Sequence, residues 1–539
     1  MRSLFRASVV FALVLQTASY VSAQDLHQRI DALIVAGHPG YAQQASPISS
    51  DAEFLRRATL DLNGTIPNTT EVRAFLADKD SNKRAILIDK LTASPAFARR
   101  MMQFFDVMLM ERRRDAKVPR PAWEEYLRTS FEQNKPYDQL VKEILSADGV
   151  DPKARGPAKF YLDRDFEPNA VTRDIGRLFL GRNMQCAQCH DSPIVDDYKQ
   201  EHYFGILAYL NRSYLFPNPQ LPTAVIAEKA EGEVSFTSVF DKNKVTKSTG
   251  PKMPGGKPFA EPKFDKGKEY KVVPAANVKP IPNFSRRAML ADSIVESESF
   301  RRNIANRLWA MMMGRGLVHP LDFDHKDNPP SHPELLELLA KEMSGHKFDV
   351  KWLVKELALS QTYQRSSEVP VLLKEIPKDR FLVGILRPLS PEQITYAMLE
   401  ATGRMEVERA ALGKTFTEAA MAARLSPHTA TFVRMFGSQP GQAEDNFQST
   451  LDQTLFLKHG QGIRNLIELR PGNLLDRAGK LTDPNAIADE MFLSVFTRPA
   501  TDEEKKDIAE ILKGAPDRNV VLSETIWAML ASAEFRFNH

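Results

Sequence analysis

The stretch Phe97-Ala-Arg-Arg-Met-Met-Gln-Phe-Phe-Asp-Val-Met108 indicates the architecture, because its large apolar side chains recur every three to four residues. That spacing places them on one face of an α-helix. The same periodicity runs from about residue 51 to residue 148, and it returns after Phe284. We therefore predict a mainly α protein with multi-helix N-terminal and C-terminal domains.

Between these helical regions, residues 211–284 have a different composition. Proline, glycine and lysine are dense there, and helical periodicity is lost. Residues 233–240 alternate with a period of two, which predicts a strand, and residues 270–273 are a second candidate. We predict a small β- and loop-rich insertion at residues 211–284, between helical domains at residues 24–210 and 285–539.

Three polar segments predict where helices begin. Asn68-Thr-Thr-Glu71, Ser331-His-Pro-Glu334 and Ser390-Pro-Glu-Gln393 have the form of a capping box. In that motif the first side chain accepts a backbone N–H three residues on, and the fourth side chain reaches back to the first backbone N–H. We expect the first residue of each segment to cap a helix.

The N-terminus has the pattern of a secretory signal peptide over residues 1–23. A basic start at Arg2 and Arg6 is followed by a short apolar run, and small residues end the segment at Ala23. The run is shorter than the roughly 20 residues of a membrane-spanning helix, and no later stretch approaches that length. We expect cleavage between about Ala23 and Gln24, which gives a periplasmic or secreted protein without a transmembrane segment.

The overall charge argues against one class of partner. The chain has 72 Lys and Arg residues and 69 Asp and Glu residues, a formal net charge of +3. A balance so close to neutral gives no general attraction to nucleic acid or to an anionic membrane. We predict that the protein has no nucleic-acid partner.

The strongest chemical signal is Cys186-Ala-Gln-Cys-His190, which contains the only two cysteines of the sequence. C-x-x-C-H is the pattern that attaches a c-type haem, with two thiols bound to the porphyrin and the histidine bound to iron. On a helix, residues three apart lie on the same side, so Cys186 and Cys189 can hold one planar macrocycle. The pattern predicts covalent haem c, and the predicted export of the chain agrees with it.

Three other interpretations of the two thiols stay open. A disulfide of the thioredoxin type needs an alternating β/α pattern, which this sequence lacks. A structural zinc site needs four ligands, and only scattered histidines accompany the two cysteines. An inert local disulfide between Cys186 and Cys189 needs nothing further, and it would leave a haem-free binding or scaffold protein.

The second axial ligand of such a haem has two candidates. Met253 lies in the turn-forming segment Lys252-Met-Pro-Gly255, downstream of the cysteines. His202 is closer to the motif in sequence, twelve residues after His190. The iron could also keep five ligands and leave one position for a small molecule. The sequence has no serine-hydrolase, zinc-protease or nucleotide-loop motif, so the catalytic residues of any enzyme activity stay unknown.

The run Arg112-Arg-Arg114 follows the long helical stretch in the first domain. Clustered arginines of this kind can face the propionates of a haem, but they more often form a solvated helix end. We predict the solvated helix end.

Several ordered stretches resemble the DUF1549 family, also called planctomycete cytochrome c-like 2, and its usual companion DUF1553. Those resembling DUF1549 are residues 51–64, Ile66-Pro67, Asn134-Lys-Pro-Tyr-Asp138 and Cys186-Ala-Gln-Cys-His-Asp191. Those resembling DUF1553 are Asn303-Ile-Ala-Asn-Arg-Leu-Trp309, Gly314-Arg-Gly-Leu317, residues 329–336 and Glu534-Phe-Arg-Phe-Asn-His539. The resemblance implies a cytochrome-like haem role. Relatives often carry a second histidine shortly after the C-x-x-C-H motif, where this chain has Ser192.

These observations predict an exported c-type cytochrome-like protein with one covalent haem at Cys186, Cys189 and His190. It would transfer electrons or act as a haem-dependent oxidoreductase, with an unknown redox partner or substrate. The alternative is a haem-free extracytoplasmic binding or scaffold protein with a local disulfide. The chain is longer than an electron shuttle needs, which leaves room for a binding function elsewhere.

Overall fold

A computed structural model describes residues 25–221, 223–444 and 450–539 of the chain. The predicted signal peptide, residues 1–23, lies outside the described residues. Within them the protein is mainly helical, with small two-stranded sheets, so the predicted fold class is confirmed.

The first part of the chain consists of helices and short 3₁₀ turns. The 3₁₀ turns are Pro152–Ala154, Gly156–Ala158 and Cys186–Gln188. The α-helices are α1 Leu26–Ala36, α2 Tyr41–Gln44, α3 Asp51–Asn63, α4 Thr69–Ala77, α5 Lys83–Ala93, α6 Pro95–Met110, α7 Arg120–Glu132, α8 Tyr137–Ser146, α9 Lys159–Leu162, α10 Pro168–Leu180 and α11 Gln200–Leu210.

The middle of the chain contains three antiparallel strand pairs, which confirms the predicted β-containing insertion and the candidate strand at residues 270–273. They are β1 Ser213–Phe216 with β2 Val225–Glu228, β3 Val234–Phe236 with β4 Lys247–Thr249, and β5 Tyr270–Val272 with β6 Ile281–Pro282. The strand predicted over residues 233–240 is shorter than expected: it covers only Val234–Phe236. The hydroxyl of Ser238 accepts the backbone N–H of Phe240, and this local bond turns the chain away from the sheet.

Helices return after the insertion and continue to the end of the chain. They are α12 Arg286–Glu296, α13 Glu298–Met313, α14 Pro333–Gly345, α15 Val350–Leu359, α16 Pro391–Ala401, α17 Arg404–Leu412, α18 Glu418–Phe436, α19 Leu451–His459, α20 Gln461–Ile467, α21 Leu474–Lys480, α22 Pro484–Phe496, α23 Asp502–Leu512, α24 Arg518–Ala531 and α25 Ala533–Arg536. One further strand pair joins β7 Arg387–Pro388 to β8 Phe537–Asn538.

The capping predictions are confirmed at two of the three segments. Asn68 and Ser390 both form complete capping boxes, at the starts of α4 and α16. The prediction for Ser331 is wrong, because α14 begins at Pro333 and its N-cap is His332. Proline takes the first helical position at both Pro391 and Pro333, so the cap falls on whichever residue directly precedes it.

Two apolar cores hold the helices together, and the larger one contains helices from before and after the insertion. It joins α1–α11 to α12–α15, where the ring of Tyr137 stacks on that of Phe300 at 5.4 Å between centroids. The second core is formed mainly by α16–α25, and it receives Leu60 and Ile66 from the first part of the chain. The helices before the insertion therefore depend on helices after it for their burial.

Buried charges fasten α3 to the last residues of the chain. The carboxylate of Asp61 accepts hydrogen bonds from the hydroxyl of Tyr363 (2.8 Å), from Arg387 (2.6 Å) and from the amide of Asn538 (2.8 Å). One turn earlier, Arg56 donates to the carbonyl of Phe535 at 2.9 Å. These contacts hold β7 and β8 against α3.

The predicted solvated helix end at residues 112–114 is wrong for its first two arginines. The side chain of Arg112 is 6% exposed and pairs with Glu392 at 2.8 Å and with Glu444, and Arg113 pairs with Asp174 at 3.0 Å. The reason is a left-handed turn directly after α6, with φ of 54° at Arg112, which directs these side chains back into the protein. Only Arg114 of the three is exposed.

Candidate haem-attachment site

The two cysteines lie in the 3₁₀ turn Cys186–Gln188 rather than in an α-helix. The N–H of Cys189 donates to the carbonyl of Cys186 at 3.2 Å. Because side chains three apart eclipse each other in a 3₁₀ turn, both thiols project from the same side. Both are free and exposed, whereas Ala187 between them is fully buried and anchors the turn in the larger core.

The position of this turn is fixed from the end of α10. The helix ends at Gly181, whose φ of 67° is accessible to glycine at little cost. The chain then runs beside a segment that follows the insertion in sequence. The N–H of Asn183 donates to the carbonyl of Asp322 at 2.8 Å, and the N–H of Asp324 donates to the carbonyl of Gly181 at 3.0 Å. The segment that leads into the cysteine turn is thus held by backbone hydrogen bonds to Asp322 and Asp324.

The imidazole of His190 has one defined tautomer. Its Nδ1 lies 2.6 Å from the carbonyl oxygen of Asp191. A carbonyl can only accept, so Nδ1 is the donor, and in the neutral ring the lone pair is on Nε2. Among the described residues, no hydrogen bond to Nε2 is found. Histidines that bind metals commonly have this arrangement, with the other ring nitrogen donating to a carbonyl.

An exposed apolar segment adjoins the histidine. The ring of Phe240 lies 4.5 Å from that of His190, and the N–H of Val239 donates to the carbonyl of Cys189 at 3.0 Å. Yet Val239 is 66% exposed and Phe240 is 70% exposed, and Ile194 in the loop after the motif is 84% exposed. Apolar side chains left open to solvent beside two thiols provide surface that a flat hydrophobic group can cover.

A polar cluster also adjoins the motif. Arg173 of α10 donates to the side chain of Gln188, inside the motif, at 2.8 Å. Burial raises the pKa of the Tyr203 phenol, and the nearby guanidinium of Arg173 acts in the opposite direction. The sequence prediction missed Arg173. The signal available in the sequence was a cationic side chain on α10, the helix that leads into the motif.

The two candidates for a sixth ligand are both attached to α11, which packs against the cysteine turn. His202 is in its first turn, with Nδ1 3.0 Å from the carbonyl of Asp197, and burial lowers its pKa. Met253 is half-buried against the larger core, and its neighbour Lys252 donates its N–H to the carbonyl of Gly205 at 3.2 Å. The choice between Met253 and His202 stays a prediction.

Two family models match the chain, one mostly before the β-containing insertion and one after it. Residues 29–214, which include the cysteine turn, match the model of the protein of unknown function DUF1549, or PSCyt2. Residues 286–512 match the model of the protein of unknown function DUF1553, or PSD1. The chain is a DUF1549–DUF1553 protein. No curated protein and no solved structure matches it.

In this DUF1549–DUF1553 protein, Ser192 follows the motif and is held by local hydrogen bonds. Its hydroxyl accepts the N–H of Val195 at 3.1 Å, and its own N–H donates to the carbonyl of Tyr198 at 2.9 Å. The carboxylate of Asp191 accepts the N–H of Gln200 at 2.8 Å, at the start of α11. Ser192 and Asp191 therefore shape the loop between the cysteine turn and α11.

The described residues also bear on the zinc interpretation of the two cysteines. Over residues 25–221, 223–444 and 450–539, no three His, Cys, Asp or Glu side chains converge in a way that could hold a metal ion, so the zinc interpretation lacks the further ligands it needs. Within the same ranges, no helix of the DUF1549–DUF1553 protein is both long and apolar enough to cross a bilayer.

Proposed function

We propose that this DUF1549–DUF1553 protein is an exported c-type cytochrome-like protein, periplasmic or secreted, with one haem bound covalently. It would act in electron transfer or haem-dependent oxidoreduction with a redox partner or substrate of unknown identity. The observation that carries the proposal is the donor set: two exposed thiols on one side of a turn, followed by an imidazole whose Nε2 lone pair is available.

The thiols have a defined chemical role in this proposal. Cys186 and Cys189 would hold the group through two thioether bonds, each made by adding an S–H to one vinyl C=C bond. Such an addition conserves electrons, so it would need no oxidant or reductant. Once bound, the group supplies reversible one-electron chemistry at iron, which the side chains of this protein cannot provide.

The neighbouring residues would orient the group and limit its contact with water. The carbonyl of Asp191 holds the His190 ring and makes Nε2 the ligand atom. Val239 and Phe240, which are exposed in the structure, would lie against the macrocycle. Arg173 would pair with a propionate, and Met253 or His202 would be the sixth ligand.

The proposal is tested by producing the protein in a host that has cytochrome c maturation machinery. We expect a coloured protein with a Soret band, whose visible bands sharpen when dithionite reduces the iron. A colourless chain that is folded by circular dichroism, purified from a host that matures a control cytochrome c, would contradict the proposal. That result would favour the haem-free binding or scaffold protein.

Replacing Arg173 by glutamine is expected to lower the midpoint potential of the haem protein. Loss of a nearby positive charge favours the oxidised, more positive iron, and a fall of roughly 30–60 mV is a several-fold to tenfold change in a one-electron equilibrium. Potentiometric titration measures it. Arg114→Gln, at an exposed site outside this cluster, is the matched control. Equal potentials in the two variants would show that Arg173 does not face the haem.

A further inference from the structure

A cavity of about 400 Å³ lies between the two family domains, away from the cysteine turn. Its walls come from α3–α6 of the DUF1549 region and from α16–α18 of the DUF1553 region. None of the elements that hold the thiols, α10, α11 or the β3–β4 hairpin, contributes to it. Cavities of about 300–1,000 Å³ at domain interfaces are typical of sites for small organic molecules.

Most of the cavity wall is apolar. Both family domains contribute aliphatic, sulfur-containing or aromatic side chains, among them Leu55, Ile66, Phe75, Leu87, Phe416 and Met421. Tyr396 adds a buried ring, over which the guanidinium of Arg99 lies at 4.4 Å. This composition favours a ligand whose surface is itself largely apolar.

The cationic side chains of the wall are already paired. Arg99 pairs with Glu418, and Arg409 pairs with Glu400 at 3.1 Å. At the rim, Lys90 lies 3.5 Å from Glu71, and Lys83 lies 2.6 Å from Asp51. An anionic ligand would enter without a free counter-ion, and an unpaired charge is costly to bury.

A buried carboxyl group gives the same indication. Glu400 is almost fully buried in the wall, and burial raises its pKa although Arg409 is its partner. A wall that disfavours the charged form of its own carboxyl group also disfavours an added anion.

We propose that this cavity binds one uncharged, largely apolar organic molecule, of aromatic or lipid-like character. The binding would bring the DUF1549 and DUF1553 regions together around the ligand, because each supplies one wall. The proposal is independent of the haem, since the cavity shares no element with the cysteine turn.

The test uses two probes that differ in one group. Phenylnaphthylamine is uncharged, and anilinonaphthalenesulfonate is the same molecule with an added sulfonate. Binding to the full-length chain is measured by equilibrium dialysis, which a coloured cofactor does not disturb. We expect one phenylnaphthylamine per chain and at least about tenfold weaker binding of the sulfonate, a difference of about 1.4 kcal/mol.

Variants locate the bound probe. Ala96 and Leu87 line the cavity, and Ala96→Phe or Leu87→Trp would fill part of it. Ala93, at the exposed end of α5, lies outside the lining, so Ala93→Phe is the matched control. We expect each cavity variant to weaken phenylnaphthylamine binding at least about tenfold, and the control to leave it unchanged.

Three results would overturn the proposal. They are a wild-type chain that binds no phenylnaphthylamine up to its solubility limit, equal binding of the two probes at the site that Ala96→Phe affects, and wild-type affinity in the cavity variants. Circular dichroism and a melting curve establish that each variant is folded. The two cavity variants keep the test decisive if one of them does not fold.

Discussion

A chain with both Cys186→Ala and Cys189→Ala is expected to carry no covalent haem when it is produced beside the maturation machinery. The two thiols are the only ones in the sequence, so their loss removes every sulfur able to form a thioether with a vinyl group. The expected change is complete loss rather than a graded one. It is measured as the ratio of Soret absorbance to protein after denaturation and gel filtration.

The fold should tolerate this double substitution. Both cysteine side chains are exposed and unpaired, and substitutions at such sites usually change stability by less than about 0.5 kcal/mol. Ser192→Ala is the matched control, because it alters the same loop and keeps both thiols. Covalent haem in the double variant, or its absence from Ser192→Ala as well, would contradict the assigned role of the cysteines.

Asp61→Ala is expected to destabilise the protein by about 3–5 kcal/mol, the range for removing one partner of a buried ion pair. The Asp61 side chain is 1% exposed, and its carboxylate accepts hydrogen bonds from Tyr363, Arg387 and Asn538. Without the carboxylate, the guanidinium of Arg387 loses its counter-ion in a buried site. The attachment of β8 to α3 weakens at the same time.

Thermal and urea unfolding of the apo chain measure this loss. Asp89→Ala is the control, since Asp89 forms an exposed ion pair with Lys355, and such pairs contribute about 0–1 kcal/mol. The Asp61 variant should unfold at a clearly lower temperature and urea concentration than the Asp89 variant. Coincident unfolding curves would show that the Asp61 cluster does not stabilise the contact between α3 and the chain end.

The sequence predicts the parts of this structure that depend on local patterns. Apolar periodicity identifies the helices, and loss of periodicity identifies the β-containing insertion. Asn68 and Ser390 mark helix starts because a capping box is formed by residues within one turn. Cys186, Cys189 and His190 are recognised together for the same reason, since five consecutive residues contain the whole donor set.

Long-range contacts account for what the sequence does not predict. From the sequence, Arg112 resembles a surface residue. In the structure its carboxylate partners are Glu392 of α16 and Glu444, which are far from it along the chain. Phe240 meets His190 only because the β3–β4 hairpin folds back over the turn. Asp61 and Asn538 are brought together across nearly the whole chain, and no local periodicity records that contact.

The central claim is tested most directly by the intact mass of the wild-type chain, matured in a competent host and measured under denaturing conditions. The account predicts a polypeptide heavier by one haem, with the added mass on the proteolytic peptide that contains Cys186, Cys189 and His190. A folded wild-type chain whose mass equals that of the unmodified polypeptide, or is lower by the two hydrogens of a disulfide, would contradict it.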